Sequence, residues 1–284
     1  MRPSPRLVGV LLLLGCGSPD DGWTWVPVEG TRCANGTTTG MGMRTREGSK
    51  DLLIYLMGGG ACWDAGTCYG LSLAWNVTTG YSGDLFALER LRGAGIFDVF
   101  PDATQVFVPY CTGDLHSGTL DREHIPGTKT RHLGANNLDA LLAELPRPQG
   151  RVFVVGTSAG GYGAQLNAER FAAAFPNNEV HVMADSAPMV ALDEKLTGWG
   201  EVWGTTSRTA LPAGSRRGLV ASKRDWLISI FSGLSPEELE KRTLELPGPN
   251  LILDGNQHVF FDAKDLPGVK EYVEAWRDGR APFE

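Results

Sequence analysis

A chain of 284 residues is long enough for one large α/β domain or two small ones, and its 42% hydrophobic and 21% charged content is ordinary for a globular protein. Its formal charge of −7 and sequence pI near 5.3, with no basic cluster, argue against a nucleic-acid partner. No apolar run reaches membrane-spanning length.

The N-terminus reads as an export signal. Arg2 and Arg6 precede an apolar stretch over residues 7–14, a positive segment followed by a short hydrophobic one. Leu13-Leu14-Gly15-Cys16 resembles a bacterial lipobox, where cleavage before the cysteine leaves Cys16 lipid-modified. The competing reading is an ordinary signal peptide with an incidental cysteine. The expected organisation is a lipoprotein-type signal peptide over 1–15, a polar tether over 16–22 and one domain over 23–284. Such a chain is exported, and is either membrane-anchored or extracellular. With Cys16 set aside, Cys33, Cys62, Cys68 and Cys111 remain. An even set in an exported chain reads as two disulfides with three possible connectivities. Pairing Cys62 with Cys68 across their short loop leaves Cys33 with Cys111. There is no C-x-x-C pair, so zinc ligation is not expected.

Residues 23–47 alternate and are rich in Thr and Gly, which predicts an antiparallel hairpin. Residues 51–57 (DLLIYLM) predict a strand buried on both faces, and Gly58-Gly59-Gly60-Ala61 follows it directly. Glycines there let backbone amides approach a ligand. Residues 62–100 are aromatic and irregular, with a short helix expected near 84–91. Residues 105–110 predict another strand. Asp114 and His116 lie past its C-terminal end, where α/β folds bind ligands, and read equally as substrate contacts or polar loop residues. A helix is expected from about 134 to 145, stopped by Pro146.

Residues 151–166 (RVFVVGTSAGGYGAQL) form the centre of the chain. A β-branched run meets Gly156-Thr157-Ser158-Ala159-Gly160 and an Ala-rich helical segment follows, which is G-x-S-x-G in its strand–turn–helix context. A serine at the tip of that turn needs small neighbours. The helix behind it also directs N–H groups and a positive dipole end toward negative charge forming there. Residues 179–184 predict a strand ending in Asp185-Ser186, with His181 inside it as a core or edge residue. Residues 187–215 show no clear period and hold Trp199 and Trp203, which suits a cap or a substrate shelf, with packing the default role of the two tryptophans. Residues 218–222 predict a strand ending at Lys223-Arg224-Asp225. Ser235-Pro236-Glu237-Glu238 opens a helix with a serine cap, proline at the first position and acids in the first turn. Residues 250–253 are the last strand, His258 follows, and a helix over about 267–276 closes the chain.

Strands alternating with helices predict an α/β fold with a mostly parallel sheet. Ser158, then Asp225, then His258 is the chain order of an α/β-hydrolase triad. Ser158 is a poor nucleophile until His258 removes its proton, and Asp225 holds the imidazole in the needed tautomer. Amides of Ala159 and of the Gly59-Gly60 turn are placed to bind the oxyanion. Three acids follow strand-like runs. Asp185 comes early in the order, and its ADSAP setting suggests a structural hydrogen-bonding role. Asp254 shares a loop with His258, which is poor geometry for reaching the imidazole. Asp225 is therefore the expected acid.

Four blocks, GGGACWDAGTC (58–68), PYCTGDLHSG (109–118), GTSAGGYGA (156–164) and MADSAP (183–188), together resemble the pectin acetylesterase family of Notum-like serine carboxylesterases. The resemblance implies an α/β-hydrolase-like fold: a mostly parallel central sheet flanked by helices, with irregular cap loops. It implies Ser158, Asp225 and His258 as triad, Gly59, Gly60 and Ala159 as oxyanion donors, and Cys33–Cys111 plus Cys62–Cys68 as disulfides. Where the family often carries a bulky aromatic, this chain has Gly60-Ala61. The expected activity is serine ester hydrolysis, without metal or organic cofactor, that removes O-acetyl or other short acyl groups from polysaccharide. A lipase or lipid deacylase with the same triad is a second reading, and a non-catalytic carbohydrate-binding member a third. The presence of all three triad residue types counts against the third. The expected partners are an acylated carbohydrate or other ester and, through the lipid anchor, a membrane surface; the chain is expected to be a monomer.

Overall fold

A computed structural model describes residues 22–89, 95–205, 209–261 and 268–280. The signal peptide expected over 1–15, Cys16 and most of the tether lie outside the described residues. Strands β1 (Thr24–Pro27) and β2 (Gly40–Arg44) pair antiparallel, the hairpin that the alternation over 23–47 predicts. The remaining strands are β3 (Leu52–Leu56), β4 (Thr104–Val108), β5 (Leu120–Ile125), β6 (Thr128–His132), β7 (Val152–Thr157), β8 (Val180–Asp185), β9 (Arg217–Ser222) and β10 (Asn250–Leu253). Eight of them form one sheet in the order β1-β2-β4-β3-β7-β8-β9-β10. From β4 to β10 neighbouring strands run parallel, while β2 meets β4 antiparallel.

Burial on both faces explains the near-continuous apolar runs at the centre. Every residue of β3 and β7 is buried. The period of two then splits each strand between two cores. Val152 and Val154 join Leu138, Leu141 and Phe171 on one face; Phe153 and Val155 join Tyr272, Val273 and Trp276 on the other. The first face is covered by helices α3 (Gly134–Glu144) and α5 (Ala168–Ala174), and the second by α9 (Val269–Arg277). Helices α1 (Gly83–Glu89) and α2 (Ile96–Val99) lie in the connection before β4. Helix α4 (Ala159–Leu166) leaves β7 through Ser158. The three remaining described α-helices are α6 (Asp193–Trp203), α7 (Trp226–Ser232) and α8 (Pro236–Leu244).

Three elements depart from the sequence expectation. Residues 187–215, read as aperiodic, contain the eleven-residue helix α6. Gly198 and Gly200 lower its intrinsic propensity, and tertiary packing supplies what propensity lacks. Trp199 stacks on Trp63 with centroids 4.6 Å apart, and Trp203 Nε1 donates to the Cys62 carbonyl at 2.9 Å. The β5–β6 hairpin, exposed on one side and built from polar residues, carries little apolar alternation to read. Helix α7 starts immediately after Asp225, which caps it, and Gly233 at φ 74 ends it.

Candidate active site

The turn between β7 and α4 consists of Ser158 alone, held at φ 53 and ψ −119. Side chains other than hydrogen avoid that region, at a cost of about 1–3 kcal/mol. Contacts from two glycines make the turn possible. A Cβ on Gly156 would sit 2.1 Å from the Gly160 carbonyl oxygen, and one on Gly160 would sit 2.0 Å from that of Leu56. Ser158 is only 8% exposed and its amide donates to the Asp185 carbonyl at 2.8 Å.

Asp225 and His258 come from neighbouring loops, after β9 and β10, and meet directly: His258 Nδ1–H donates to Asp225 Oδ2 at 2.7 Å. The second carboxylate oxygen, Oδ1, caps α7 by accepting from the amides of Leu227 and Ile228 at 3.0 and 3.1 Å. The helix terminus thus fixes the carboxylate in place while leaving one oxygen for the imidazole. With Nδ1 carrying the proton, Nε2 of the neutral ring is the acceptor. That nitrogen is buried and has no hydrogen-bond partner among the described residues. Asp254, the alternative acid on the His258 loop, instead pairs with Lys223 at 2.7 Å on the surface.

The glycine loop after β3 packs on the Ser158 turn, since a Cβ on Gly58 would lie 2.5 Å from the Thr157 carbonyl and 3.2 Å from Ser158 Cβ. Gly59 and Gly60 follow with φ of 146 and 76. A Cβ on Gly60 would fall 1.9 Å from the Leu73 carbonyl, so this backbone admits no aromatic there. His116 supports the loop from behind by donating from Nε2 to the Met57 carbonyl at 2.9 Å. Burial lowers the pKa of its imidazole and favours the neutral form. Asp114 is fully buried and accepts from Thr112 Oγ1, Gly118 N and Gly134 N. His116 is therefore a strut of the glycine loop, and Asp114 ties its own 112–118 segment to the start of α3.

Asp185, expected to have a structural hydrogen-bonding role, and Ser186, to which the sequence assigns no role, lie between these pieces. Asp185 Oδ2 accepts from the amides of Phe260 and Phe261 at 2.7 and 2.8 Å, and Ser186 Oγ accepts from Val259 at 2.9 Å. Burial pushes the Asp185 carboxyl up to about 6, against the pull of those amides. The ADSAP block was the only signal for it, and a short polar turn does not say which distant loop it binds.

Among the described residues, Cys68, His124 and His132 bring potential metal ligands within 4.8 Å of one another. Cys68 is bonded to Cys62, as Cys33 is to Cys111, so its sulfur is no thiolate. A single N–H···N bond of 2.9 Å between the two Nε2 atoms accounts for the histidine pair, and His132 Nδ1–H donates to the Thr112 carbonyl. His181, buried in β8, accepts the Arg216 amide and faces Glu179, which makes it structural. A cavity of about 730 Å³ lies at the opposite ends of the strands, beside Asp51, Asp102 and the Arg151–Asp51 pair.

The profile of the pectinacetylesterase family matches residues 25–195. Ser158 and the glycine loop fall inside that span; Asp225 and His258 fall beyond it. Palmitoleoyl-protein carboxylesterase notum2 of Xenopus laevis is 32% identical over 152 residues, which is 50% of this chain and 30% of that protein. Palmitoleoyl-protein carboxylesterase NOTUM of Drosophila melanogaster is 30% identical over 159 residues, 49% of this chain and 22% of that protein. The match thus spans under a third of either relative's length. The structure of the Wnt deacylase Notum from Drosophila superposes with a TM-score of 0.67 at 17% identity, covering 91% of this chain and 93% of that one. That likeness is one of fold, an α/β-hydrolase-like sheet with flanking helices.

Proposed function

The chain belongs to the pectinacetylesterase family, and from that premise we propose that it is an exported serine carboxylic-ester hydrolase acting on short acyl esters, with O-acetyl groups of polysaccharide as the substrate class. The observation that carries the reading is the His258–Asp225 contact of 2.7 Å, which leaves a buried, unpartnered Nε2 on a loop tied to the Ser158 turn. In the first half-reaction Ser158 Oγ attacks the acyl carbonyl as His258 Nε2 takes its proton. The oxyanion is held by the amides of Ala159, Gly59 and Gly60, each donor contributing roughly 3–4 kcal/mol. His258 returns the proton to the departing alcohol, and a water then repeats the sequence on the acyl-enzyme. Asp225 holds the imidazole in the Nδ1–H tautomer and stabilises the imidazolium. The two disulfides and the N-terminal pattern ending at Cys16 support export.

A long-chain deacylase is the second reading, favoured by the names of the curated relatives. Turnover of p-nitrophenyl esters from acetate to palmitate, with acetate release from acetylated glycans, tests both. Maximal kcat/KM at acetate is expected. A maximum at palmitate selects the second reading, and a folded protein that hydrolyses no ester overturns both.

A further inference from the structure

Resting on the reading of Ser158 as nucleophile and His258 as base, we propose that Asp185 and Ser186 form a positioning clamp that holds the His258 loop in register with the Ser158 turn. The clamp occupies the C-terminal end of β8, where Asp185 is the sheet partner of Thr157. On one side the Asp185 carbonyl accepts the Ser158 amide at 2.8 Å. On the other side, three consecutive amides beyond His258 all end on the clamp: Val259 on Ser186 Oγ, Phe260 and Phe261 on Asp185 Oδ2. Ser186 Oγ in turn donates to Asp185 Oδ1 at 2.9 Å, so the two side chains brace each other.

The backbone marks the clamp as a device held against its own preference. Val259 sits at φ 63, a region that β-branched residues avoid, and Ser186 at φ 54. Together with Ser158 at φ 53, these put a positive-φ, non-glycine residue in each of the three pieces the clamp joins: the β7 turn, the end of β8 and the His258 loop. Such conformations persist only where surrounding bonds over-determine them. Phe260 and Phe261 are each 3% exposed, so their amides have no water to turn to once the carboxylate is removed. The loop then relaxes, and His258 turns away from Asp225 and from Ser158. The Asp185 carboxylate touches neither substrate nor the reacting atoms; it acts through His258.

Asp185→Ala is expected to lower kcat on p-nitrophenyl acetate about 10²-fold, the order of effect of a misplacement near 1 Å, with KM within about threefold. Its low-field proton resonance for His258 Nδ1–H should disappear. Asp185→Asn keeps a carbonyl for the two phenylalanine amides and an N–H for Ser186 Oγ, and is expected to recover to within about tenfold of the parent with the resonance restored. Ser186→Ala, which removes a single oxygen, decides the matter if Asp185→Ala fails to fold; it should lower kcat at constant KM. The clamp is overturned by unchanged kcat, by a loss carried in KM, by an undisturbed His258 resonance, or by no recovery in Asp185→Asn. Ser158→Ala run alongside separates the cases: if it retains turnover the serine-esterase reading has failed, whereas if it is dead and Asp185→Ala is fully active only the clamp has.

Discussion

Replacing Asp225 with Asn separates the two jobs this carboxylate performs. Oδ1 accepts from the amides of Leu227 and Ile228, and Oδ2 accepts from His258 Nδ1–H at 2.7 Å. The asparagine carbonyl can keep the helix cap. Its amide then faces Nδ1 as a donor, so the imidazole must present Nδ1 as acceptor and carry its proton on Nε2. In that tautomer Nε2 cannot take the Ser158 proton. The expected loss in kcat is about 10⁴-fold, or roughly 5.4 kcal/mol of transition-state stabilisation, at nearly unchanged stability. Asp225→Ala removes the cap as well and should cost about 1 kcal/mol of unfolding free energy in addition. Initial rates on p-nitrophenyl acetate and urea unfolding of both variants provide the measurement. Turnover of Asp225→Asn within tenfold of the parent, with the fold intact, refutes the assignment of Asp225 as the triad acid.

Three further outcomes are expected. Ser158→Ala and Ser158→Gly should both be inactive, yet the glycine variant should be the more stable by about 1 kcal/mol, because glycine accepts φ 53 and alanine does not; equal stabilities in urea contradict the strained turn. Thiol titration of the exported protein under denaturing conditions should find no free thiol, with Cys16 lipidated, and replacing Cys33 and Cys111 by Ser should cost about 4 kcal/mol for a crosslink spanning 78 residues; a free thiol, or an unchanged unfolding midpoint, rejects these assignments. His132 is pushed down to about 4, by burial first, so its folded-state pKa lies below the unfolded value. Its contribution to stability is therefore complete above pH about 6.5 and is lost as pH falls through about 4. An imidazole of His132 that titrates near pH 6.5 by NMR rules this out.

Local chemistry carried much of the protein into view from sequence alone. The all-apolar runs of β3 and β7 require cover on both faces, and hence helices on both sides of a parallel sheet. Gly156 and Gly160 are legible because contacts of about 2 Å with neighbouring backbone leave no alternative residue. Ser235-Pro236 announces α8 by the chemistry of a helix start. The order of Ser158, Asp225 and His258 along the chain follows from which strands they terminate, and strand runs can be read.

What only the tertiary structure decided depends on contacts between segments distant in the chain. Helix α6 exists because Trp199 and Trp203 find Trp63 and the Cys62 carbonyl, partners more than a hundred residues away. Asp225, Asp185 and Asp254 are equivalent as residues after strands. Their surroundings separate them: one caps a helix and meets an imidazole, one is buried, accepting two loop amides and the hydroxyl of Ser186, and one pairs with Lys223 in solvent. Asp114 and His116 likewise read equally as ligand contacts or loop residues until packing set His116 behind the glycine loop and Asp114 against the start of α3. A carboxylate's role is set by the donors that reach it, and those donors arrive from loops whose meeting no local pattern encodes.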